Sequence, residues 1–299
     1  MKPAYGPTNY RMFNSSLLSR RRFLQTLGAA CGTGAGAYGY ASCVELHWIE
    51  IVHQELPIAG LPTELVGCTV IQLSDLHAGP IVEDEYLCHA LQRVSQLQPD
   101  IVALTGDFMT CERTEQIPRT LRILQHLRPA RLATVAVLGN HDYGSNFKRM
   151  PVGNELSAGL ADLGIEVLRN SQRSVAGLVI QGIDDIWGPL FRKGDRLSPL
   201  DLAAAHLVLC HNPDAADLPI WGDYRGWILC GHTHGGQCKP PFLPPPLLPV
   251  RNRRYVAGAY DLYDGRWMYI NRGLGHLRPV RFNVRPEITV FTLQQATPV

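Results

Sequence analysis

The chain has 299 residues, of which 45% are hydrophobic and 18% charged, and this composition excludes an intrinsically disordered protein. The net charge of +2 is unevenly distributed: five of the 28 basic residues precede the first acidic residue, Glu45, and the remaining 23 face 26 acidic residues. This slightly acidic body argues against a nucleic-acid-binding surface. The eight cysteines include no Cys-x-x-Cys pair, so neither a zinc ribbon nor a dithiol redox site is indicated.

The first part of the chain has the features of an export signal. Ser19-Arg20-Arg21-Arg22-Phe23-Leu24-Gln25 resembles the twin-arginine signal, Ser-Arg-Arg-x-Phe-Leu-Lys, and departs from it only at Gln25. The uncharged, glycine-rich stretch that follows, residues 26–42, is too polar for an ordinary membrane span. We therefore expect residues 1–45 to be a signal or membrane anchor read by the twin-arginine translocation machinery, and residues 46–299 to be the folded domain. A disordered basic tail is the alternative.

The resemblance to this signal predicts a protein of the periplasm or cell envelope. Cleavage and retention both stay open, because residue 42 has no clean Ala-x-Ala site nearby and neither Cys31 nor Cys43 follows a lipoprotein pattern. A retained segment would anchor the protein to the inner membrane.

Apolar runs alternate with segments of helical spacing along the first half of the body. A first strand is expected at residues 46–53, followed by a turn-rich connection at residues 57–62. Further strands are predicted at residues 68–73, 101–104 and 133–138. Helices are predicted at residues 82–97, 115–127 and 154–163. The alternation is typical of an α/β protein.

The second half continues with strands. They are predicted at residues 178–183, 206–210, 226–230 and 288–293. Asp264-Gly265 predicts a tight hairpin turn between strands at residues 256–263 and 266–270. Cys68, Cys210 and Cys230 lie inside apolar runs, so we expect them to be small buried side chains.

Polar residues suited to metal coordination follow the predicted strands, where open α/β sheets place their sites. They are Asp75, His77, Asp107, Asn140, His141, His211, His232 and His234. Carboxylate, amide and imidazole ligands without thiolate suit iron, manganese, zinc or nickel better than calcium or a structural zinc cage. Each pattern alone is more typical of a turn or helix cap, but five of them at the ends of apolar runs indicate one shared site.

The order of these patterns is Asp-x-His, Gly-Asp, Gly-Asn-His-Asp, His and Gly-His-x-His, spread over residues 75–234. It resembles the calcineurin-like metallophosphoesterase superfamily. The twin-arginine start, the Gly-His-Thr-His-Gly-Gly-Gln sequence from Gly231 and the Arg272-Gly273-Leu274-Gly275 segment resemble its exported bacterial branch. The resemblance implies an α/β fold, a two-sheet α/β sandwich of four layers (αββα), with a dinuclear metal site at the C-terminal ends of strands.

The resemblance also implies a role for each site residue. One metal ion would be held by Asp75, His77 and His234, and a second by Asn140, His211 and His232, with Asp107 bridging both. His141 corresponds to the catalytic histidine that assists the leaving group, and Asp142 to the neighbouring acid that orients its imidazole. The two divalent or trivalent ions (Mn, Fe, Zn or Ni) would activate the attacking water. The alternative is a metal-binding, non-catalytic cell-envelope protein of the same fold.

Two regions outside the metal set are candidates for substrate recognition. The proline-rich residues 239–249 form a stiff loop, which either contacts a lipid chain or membrane surface or packs as a rigid connection. Eight arginines lie between residues 251 and 285, and they form either a phosphate-binding surface or a solvated basic face. Arg272 is the best single candidate for a substrate-binding residue.

The resemblance implies a phosphorylated small-molecule or lipid-linked substrate. Relatives of the branch hydrolyse UDP-2,3-diacylglucosamine in lipid A biosynthesis or act on cell-wall phosphodiesters. Export argues against a cytoplasmic step of lipid A synthesis unless the chain stays anchored at the inner face of the membrane.

Overall fold

The computed structural model describes residues 19–110, 115–192 and 204–296. Within these described residues the chain divides into two compact units, with the division after Tyr40. In the first unit, helix α1 (Arg20–Gly39) begins after Ser19, whose side chain accepts a hydrogen bond from the Arg22 amide at 3.4 Å, and none of its residues is buried. Among the described residues, no helix has both the length and the apolar character needed to span a membrane. Lys2 and Arg11 of the predicted signal lie outside the described residues.

The second unit contains twelve strands and three α-helices within its described residues. The strands are β1 (Glu50–Ile58), β2 (Thr69–Leu73), β3 (Ile101–Thr105), β4 (Ala133–Val137), β5 (Glu166–Val167), β6 (Ser171–Val175), β7 (Leu178–Ile183), β8 (Ala205–Cys210), β9 (Gly226–Cys230), β10 (Gly258–Asp261), β11 (Arg266–Ile270) and β12 (Glu287–Gln295). The helices are α2 (Asp84–Gln96), α3 (Gln116–Leu124) and α4 (Met150–Asp162). Short 3-10 helices lie at Glu45–His47, Thr63–Leu65, His141–Tyr143, Pro213–Asp217 and His234–Gly236, and a π-helical turn lies at Tyr40–Val44.

The strands form two six-stranded mixed sheets with the orders β1-β12-β2-β3-β4-β5 and β10-β11-β9-β8-β7-β6. The sheets pack face to face through apolar side chains from both, such as Val70 and Val135 of the first and Leu207 and Leu229 of the second. Gln72 links the two layers, because its side-chain amide donates to Thr105 Oγ1 and to the Cys230 carbonyl. The predicted two-sheet α/β sandwich is confirmed.

Different structures cover the outer faces of the two sheets. Helices α2, α3 and α4 bury their apolar stripes against the first sheet, in a core that includes Leu87, Ile123 and Leu156. In the described residues, the second sheet is covered by the 3-10 helix Pro213–Asp217 and by loop side chains such as Trp221 and Tyr255. The fourth layer of the sandwich is therefore formed by loops and a 3-10 turn in this part of the chain.

Several predicted boundaries were wrong. Strand β1 begins at Glu50 and continues through Pro57, the first residue of the predicted turn-rich connection. β1 is an edge strand, where proline is tolerated because one side of the strand is unpaired. Helix α4 begins at Met150, with Pro151 in its first turn. The short strands β5 and β6 were not predicted. The hairpin at Asp264-Gly265 is confirmed, with β10 and β11 paired antiparallel, and the three cysteines predicted to be buried are buried and free.

Candidate metal centre

The predicted ligands lie in the loops that follow five strands of the two sheets. Strands β2, β3 and β4 are parallel to one another, as are β7, β8 and β9. Because carboxyl ends of parallel strands meet at one edge of a sheet, each sheet brings its own loops together. The first sheet supplies Asp75, His77, Asp107 and Asn140, and the second sheet supplies His211, His232 and His234.

The backbone of these loops has a conformation that side chains seldom adopt. Five predicted ligands have positive φ angles, namely Asp75 (51°), His77 (49°), Asp107 (56°), His232 (72°) and His234 (50°). Residues other than glycine pay a conformational cost in this left-handed region, and such residues concentrate at functional sites. The backbone of these loops therefore sets the direction of the side chains at a cost in local conformational stability.

Close packing between loops requires glycine at two positions. A β-carbon on Gly231 would lie 1.8 Å from Ser74 Oγ, and one on Gly139 would lie 2.2 Å from Asp107 Oδ1. The absence of a side chain at Gly231 lets the next residue, His232, donate its backbone amide to Asp75 Oδ2 at 2.9 Å. The two sheets are thus joined directly at the site.

The first cluster of ligand atoms comprises Asp75, His77 and His234, which are all buried. The Nε2 atoms of His77 and His234 lie 3.0 Å apart, and His234 Nε2 lies 3.3 Å from Asp75 Oδ1. His77 Nδ1 lies 3.0 Å from Thr110 Oγ1. We call this cluster the His77–His234 half of the site.

The second cluster comprises Asp107, His211 and His232. His211 Nε2 lies 3.2 Å from Asp107 Oδ2 and 3.2 Å from His232 Nδ1. His211 Nδ1 lies 2.7 Å from the Thr105 carbonyl, and His232 Nε2 lies 2.9 Å from the Pro249 carbonyl. We call this cluster the His211–His232 half.

Asp107 lies between the two halves. Its Oδ2 atom is 3.6 Å from His77 Nε2 as well as 3.2 Å from His211 Nε2. It also shares a cluster with His77 and His141. Asn140 is buried, and its side-chain oxygen has no hydrogen-bond partner among the described residues. These positions agree with a bridging Asp107 and a ligating Asn140, although both roles remain predictions.

The arrangement of polar atoms fits metal ions. In the His211–His232 half, each histidine donates one ring N–H to a backbone carbonyl, so neutral rings direct their remaining lone pairs toward each other. Two lone pairs 3.2 Å apart, beside a carboxylate oxygen, require a proton or a cation between them. The unpartnered Asn140 oxygen adds a further donor atom without charge. This mixture of nitrogen and oxygen donors is typical of Mn, Fe, Zn or Ni sites.

The electrostatics of the two halves differ. Burial lowers the pKa of His77 and of His232 to about 3, so both imidazoles are neutral. Although burial acts in the opposite direction, His211 and His141 hold the pKa of Asp107 well below its usual range. Burial likewise opposes the rise in the pKa of His211, but Asp107 and Asp75 raise it well above its ordinary value. Burial raises the pKa of Asp75 to about 6. Positive charge is therefore favoured most strongly beside Asp107.

The Asp142 side chain is surrounded by backbone amides. Its buried carboxylate accepts hydrogen bonds from four backbone amides, those of Asp107, Phe108, Met109 and Gly139. None of the described contacts joins it to the His141 ring, and its role in orienting this imidazole remains a prediction. Asp142 holds the loop that carries Asp107.

The predicted substrate-binding residue, Arg272, is already paired. Its Nε atom donates to Glu287, and its Nη1 atom donates to Glu50 at 3.0 Å. Both carboxylates raise the pKa of Arg272, although its burial acts in the opposite direction. The geometry favours a structural role that ties the loop after β11 to β1 and β12, and the substrate-binding role remains a prediction.

Sequence reasoning missed Arg281 as a structural centre. It is fully buried, and its guanidinium donates to the carbonyls of Arg272, Gly273, Gly275 and Val284. This loop in turn donates the amides of Leu274 and Gly275 to the carbonyls of Ser74 and Asp75. Nothing in the sequence distinguishes this buried arginine from its exposed neighbours. Thr110 and the Pro249 carbonyl, which contact the histidines, were also missed.

The proline-rich loop borders a cleft next to His234. The cleft has a volume of about 770 Å³, and its lining includes Gly235, Lys239, Phe242, Leu243, Tyr260 and Arg272. Phe242 is fully exposed, and Leu243 and Leu247 are largely exposed. The cleft therefore combines an apolar surface with cationic side chains.

Sequence comparisons agree with the geometry. The sequence model of the calcineurin-like phosphoesterase family matches residues 68–236. The chain is 32% identical over 298 residues to the metallophosphoesterase YkuE of Bacillus subtilis (strain 168), covering 93% of this chain and 98% of that protein. It is 31% identical over 288 residues to the phosphodiesterase YaeI of Escherichia coli (strain K12), and the match covers 93% of this chain and 100% of that protein. It is 26% identical over 275 residues to the UDP-2,3-diacylglucosamine pyrophosphatase LpxG of Chlamydia trachomatis, and the match covers 75% of this chain and 83% of that protein.

The chain therefore belongs to the calcineurin-like phosphoesterase family. It is a metallophosphoesterase, a hydrolase of phosphoester or phosphoanhydride bonds, and its buried histidine and aspartate clusters are able to hold metal ions.

Proposed function

We propose that the protein hydrolyses the phosphodiester or pyrophosphate bond of an amphiphilic substrate at the cell envelope, using two metal ions. The observation that carries this proposal is Asp107, whose carboxylate lies within 3.6 Å of a histidine nitrogen in each half of the site. A carboxylate shared between two sets of imidazoles is suited to a dinuclear centre.

The residues divide between the ions as follows. One ion would be held by Asp75, His77 and His234, and the other by Asn140, His211 and His232. Asp107 would bind both ions. The bound ions would act as Lewis acids toward the phosphoryl oxygens. They would also lower the pKa of a bound water molecule, so that hydroxide is available at neutral pH. The protein contributes the rigidity of the site, because strand ends, glycine contacts and carbonyl partners fix the ligand side chains before any substrate arrives.

His141 is proposed to act on the leaving group. It is half-buried, its ring lies 5.0 Å from the His77 ring, and its backbone amide donates to Asp107 Oδ1 at 2.9 Å. The main chain thus places this imidazole at the edge of the ligand cluster and open to solvent. There it can stabilise or protonate the departing oxygen, a contribution of typically about 10²–10⁴-fold in rate.

The cleft beside His234 supports an amphiphilic substrate. Its lining places Phe242, Leu243 and Tyr260 for an apolar chain and Lys239 for an anionic group, and it also includes Gly235, the residue after the proposed metal ligand His234. The names of two relatives, a phosphodiesterase and a UDP-2,3-diacylglucosamine pyrophosphatase, agree with this class of substrate. UDP-2,3-diacylglucosamine is therefore a specific candidate, which would give the enzyme a role in lipid A biosynthesis.

Export by the twin-arginine route is proposed from the Ser19–Gln25 sequence. In this proposal residues 1–45 are the signal or anchor, residues 46–299 are the catalytic domain, and the protein resides in the periplasm or cell envelope at the inner membrane. Its partners are then the translocation machinery and, if the segment is retained, the membrane surface.

A metal-reconstituted substrate screen tests the proposal. The purified protein is loaded with Mn, Fe, Zn or Ni and assayed with phosphomonoesters, with phosphodiesters, and with sugar-nucleotide pyrophosphates that carry or lack acyl chains. We expect hydrolysis of diesters or pyrophosphates, with a lower KM for acylated substrates. Activity on monoesters alone, or equal KM values with and without acyl chains, would contradict the proposed substrate class.

A further inference from the structure

Two aromatic side chains that the metal centre does not use lie against its histidines. The Phe147 ring lies 5.1 Å from the His141 ring, and the Trp187 ring lies 4.7 Å from the His232 ring, both in edge-to-face geometry. The two aromatic rings lie 6.0 Å from each other, with an angle of 22° between their planes. We call Phe147 and Trp187 the aromatic wall.

The aromatic wall is held in place from both sides. Phe147 has a φ angle of 60°, which is rare for a bulky side chain, and its amide donates to the Gly144 carbonyl at 2.9 Å. The Trp187 amide donates to the buried Asp185 carboxylate at 2.8 Å. Lys148 Nζ donates to the Gly188 carbonyl at 3.1 Å and ties the two loops together. A strained backbone that presents an aromatic ring beside a catalytic side chain suggests a functional purpose.

The position of the wall determines which part of a substrate it can contact. Phe147 and Trp187 are both half-buried, so neither residue is fully enclosed by the protein. His141 is the residue proposed to assist the leaving group, and Phe147 is its aromatic neighbour. A group that departs past His141 therefore meets the wall, whereas the cleft lined by Gly235 begins beside His234.

We propose that the aromatic wall is a binding subsite for a planar aromatic ring on the leaving group, as found in nucleosides and aryl esters. Ring–ring contacts contribute binding energy beyond that of the buried apolar area. An alkyl leaving group lacks these contacts. The inference rests on the proposed function and assigns the side of the site that selects the leaving group.

Substitutions that remove a ring but keep an apolar side chain test the subsite. Phe147→Leu and Trp187→Leu are assayed with a bis-aryl phosphodiester, a nucleoside diphosphate sugar and a dialkyl phosphodiester. Each variant is compared with the wild-type protein on the same substrate, so that differences in intrinsic reactivity cancel. Tyr263→Leu removes an exposed aromatic ring from the β10–β11 hairpin and is the control.

We expect kcat/KM for the substrates with ring-bearing leaving groups to fall by about 3–10-fold more than kcat/KM for the dialkyl diester. The aryl and nucleotide substrates show whether the wall accepts any planar ring or only a nucleobase. An equal loss on all three substrates would overturn the subsite and leave the wall as support for His141 and His232. No loss on any substrate would overturn it as well.

Binding of product provides a readout that does not depend on turnover. Calorimetry compares a nucleoside monophosphate with inorganic phosphate on the metal-loaded protein, with melting temperatures recorded for every variant. We expect the nucleotide to bind more tightly than phosphate, and this advantage to shrink in both wall variants. If the wild-type protein hydrolyses no substrate but keeps the ring-dependent advantage, the proposed function fails and the subsite stands. If turnover is normal and the advantage is absent, the subsite fails alone.

Discussion

The two halves of the metal centre are built from the same residue types but are supported differently. In the His211–His232 half, both imidazoles have a backbone carbonyl as partner, from Thr105 and Pro249. In the His77–His234 half, His77 contacts the Thr110 hydroxyl, and His234 Nδ1 is buried without a partner among the described residues. Fixed partners set the tautomer and the orientation of a ligating histidine. The His211–His232 half is therefore the more preorganised one, and we expect it to bind its metal ion more tightly.

The largest effect should follow from removing the charge that both halves share. Asp107→Asn replaces a carboxylate beside His77 and His211 with a neutral amide. We expect the binding of both metal ions to be lost or weakened. Turnover should fall by more than the roughly 10–100-fold that is typical when a residue supporting a metal ligand is removed. Metal content and phosphodiester hydrolysis measure this, with the exposed Asp223→Asn as control. Full metal content in Asp107→Asn would show that the halves are independent.

His141→Ala should separate chemistry from metal binding. The ring lies beside the His77–His234 half but is half-exposed, unlike the buried ligands. We expect metal content to be retained and kcat to fall by about 10²–10⁴-fold. The exposed His89→Ala on α2 serves as the control. Loss of one ion in His141→Ala would instead make His141 a ligand of that half.

Asp142→Ala should affect stability more than chemistry. The substitution removes the acceptor of four backbone amides in the loops around Asp107 and Gly139. A single buried amide without a partner costs about 1–3 kcal/mol, so we expect a loss of at least this size in the unfolding free energy. Denaturant unfolding of the metal-free variant measures this loss, and Asp162→Ala, at an exposed position, is the control. Unchanged stability with reduced kcat would contradict this structural role and support the role in orienting His141.

The smallest effect concerns the side chain that distinguishes the halves. Thr110→Val removes the hydroxyl partner of His77 and leaves the carbonyl partners of His211 and His232 in place. We expect the affinity for one of the two ions to fall by about 10–100-fold, since outer partners have effects of this size. Metal titration of Thr110→Val measures this change, and Thr292→Val, at a half-buried position of β12, is the control. An equal loss of both ions would remove the distinction between the halves.

The sequence was sufficient to predict the fold class and the clustering of the candidate metal-binding residues, because residues that follow parallel strands are brought together by the sheet itself. It was insufficient where a role depends on long-range packing. Arg272 and Arg281 belong to one arginine-rich segment, yet the first is paired with carboxylates and the second is buried among carbonyls. Asp142 was assigned a role from the family resemblance, and nothing in the sequence shows that its side chain accepts hydrogen bonds from Gly139 and from three amides of the Asp107 loop. The strand β6 is short and mostly polar, so its pattern does not differ from that of a loop.

Partial chelation of the metal-loaded protein tests the account most directly. Crystals prepared at increasing chelator concentration give the occupancy of each half from anomalous scattering. We predict two ions per chain, on either side of Asp107, with the ion of the His77–His234 half lost first and hydrolysis lost with it. A single ion at full activity, or the two ions lost together at every chelator concentration, would contradict a dinuclear centre with unequal halves.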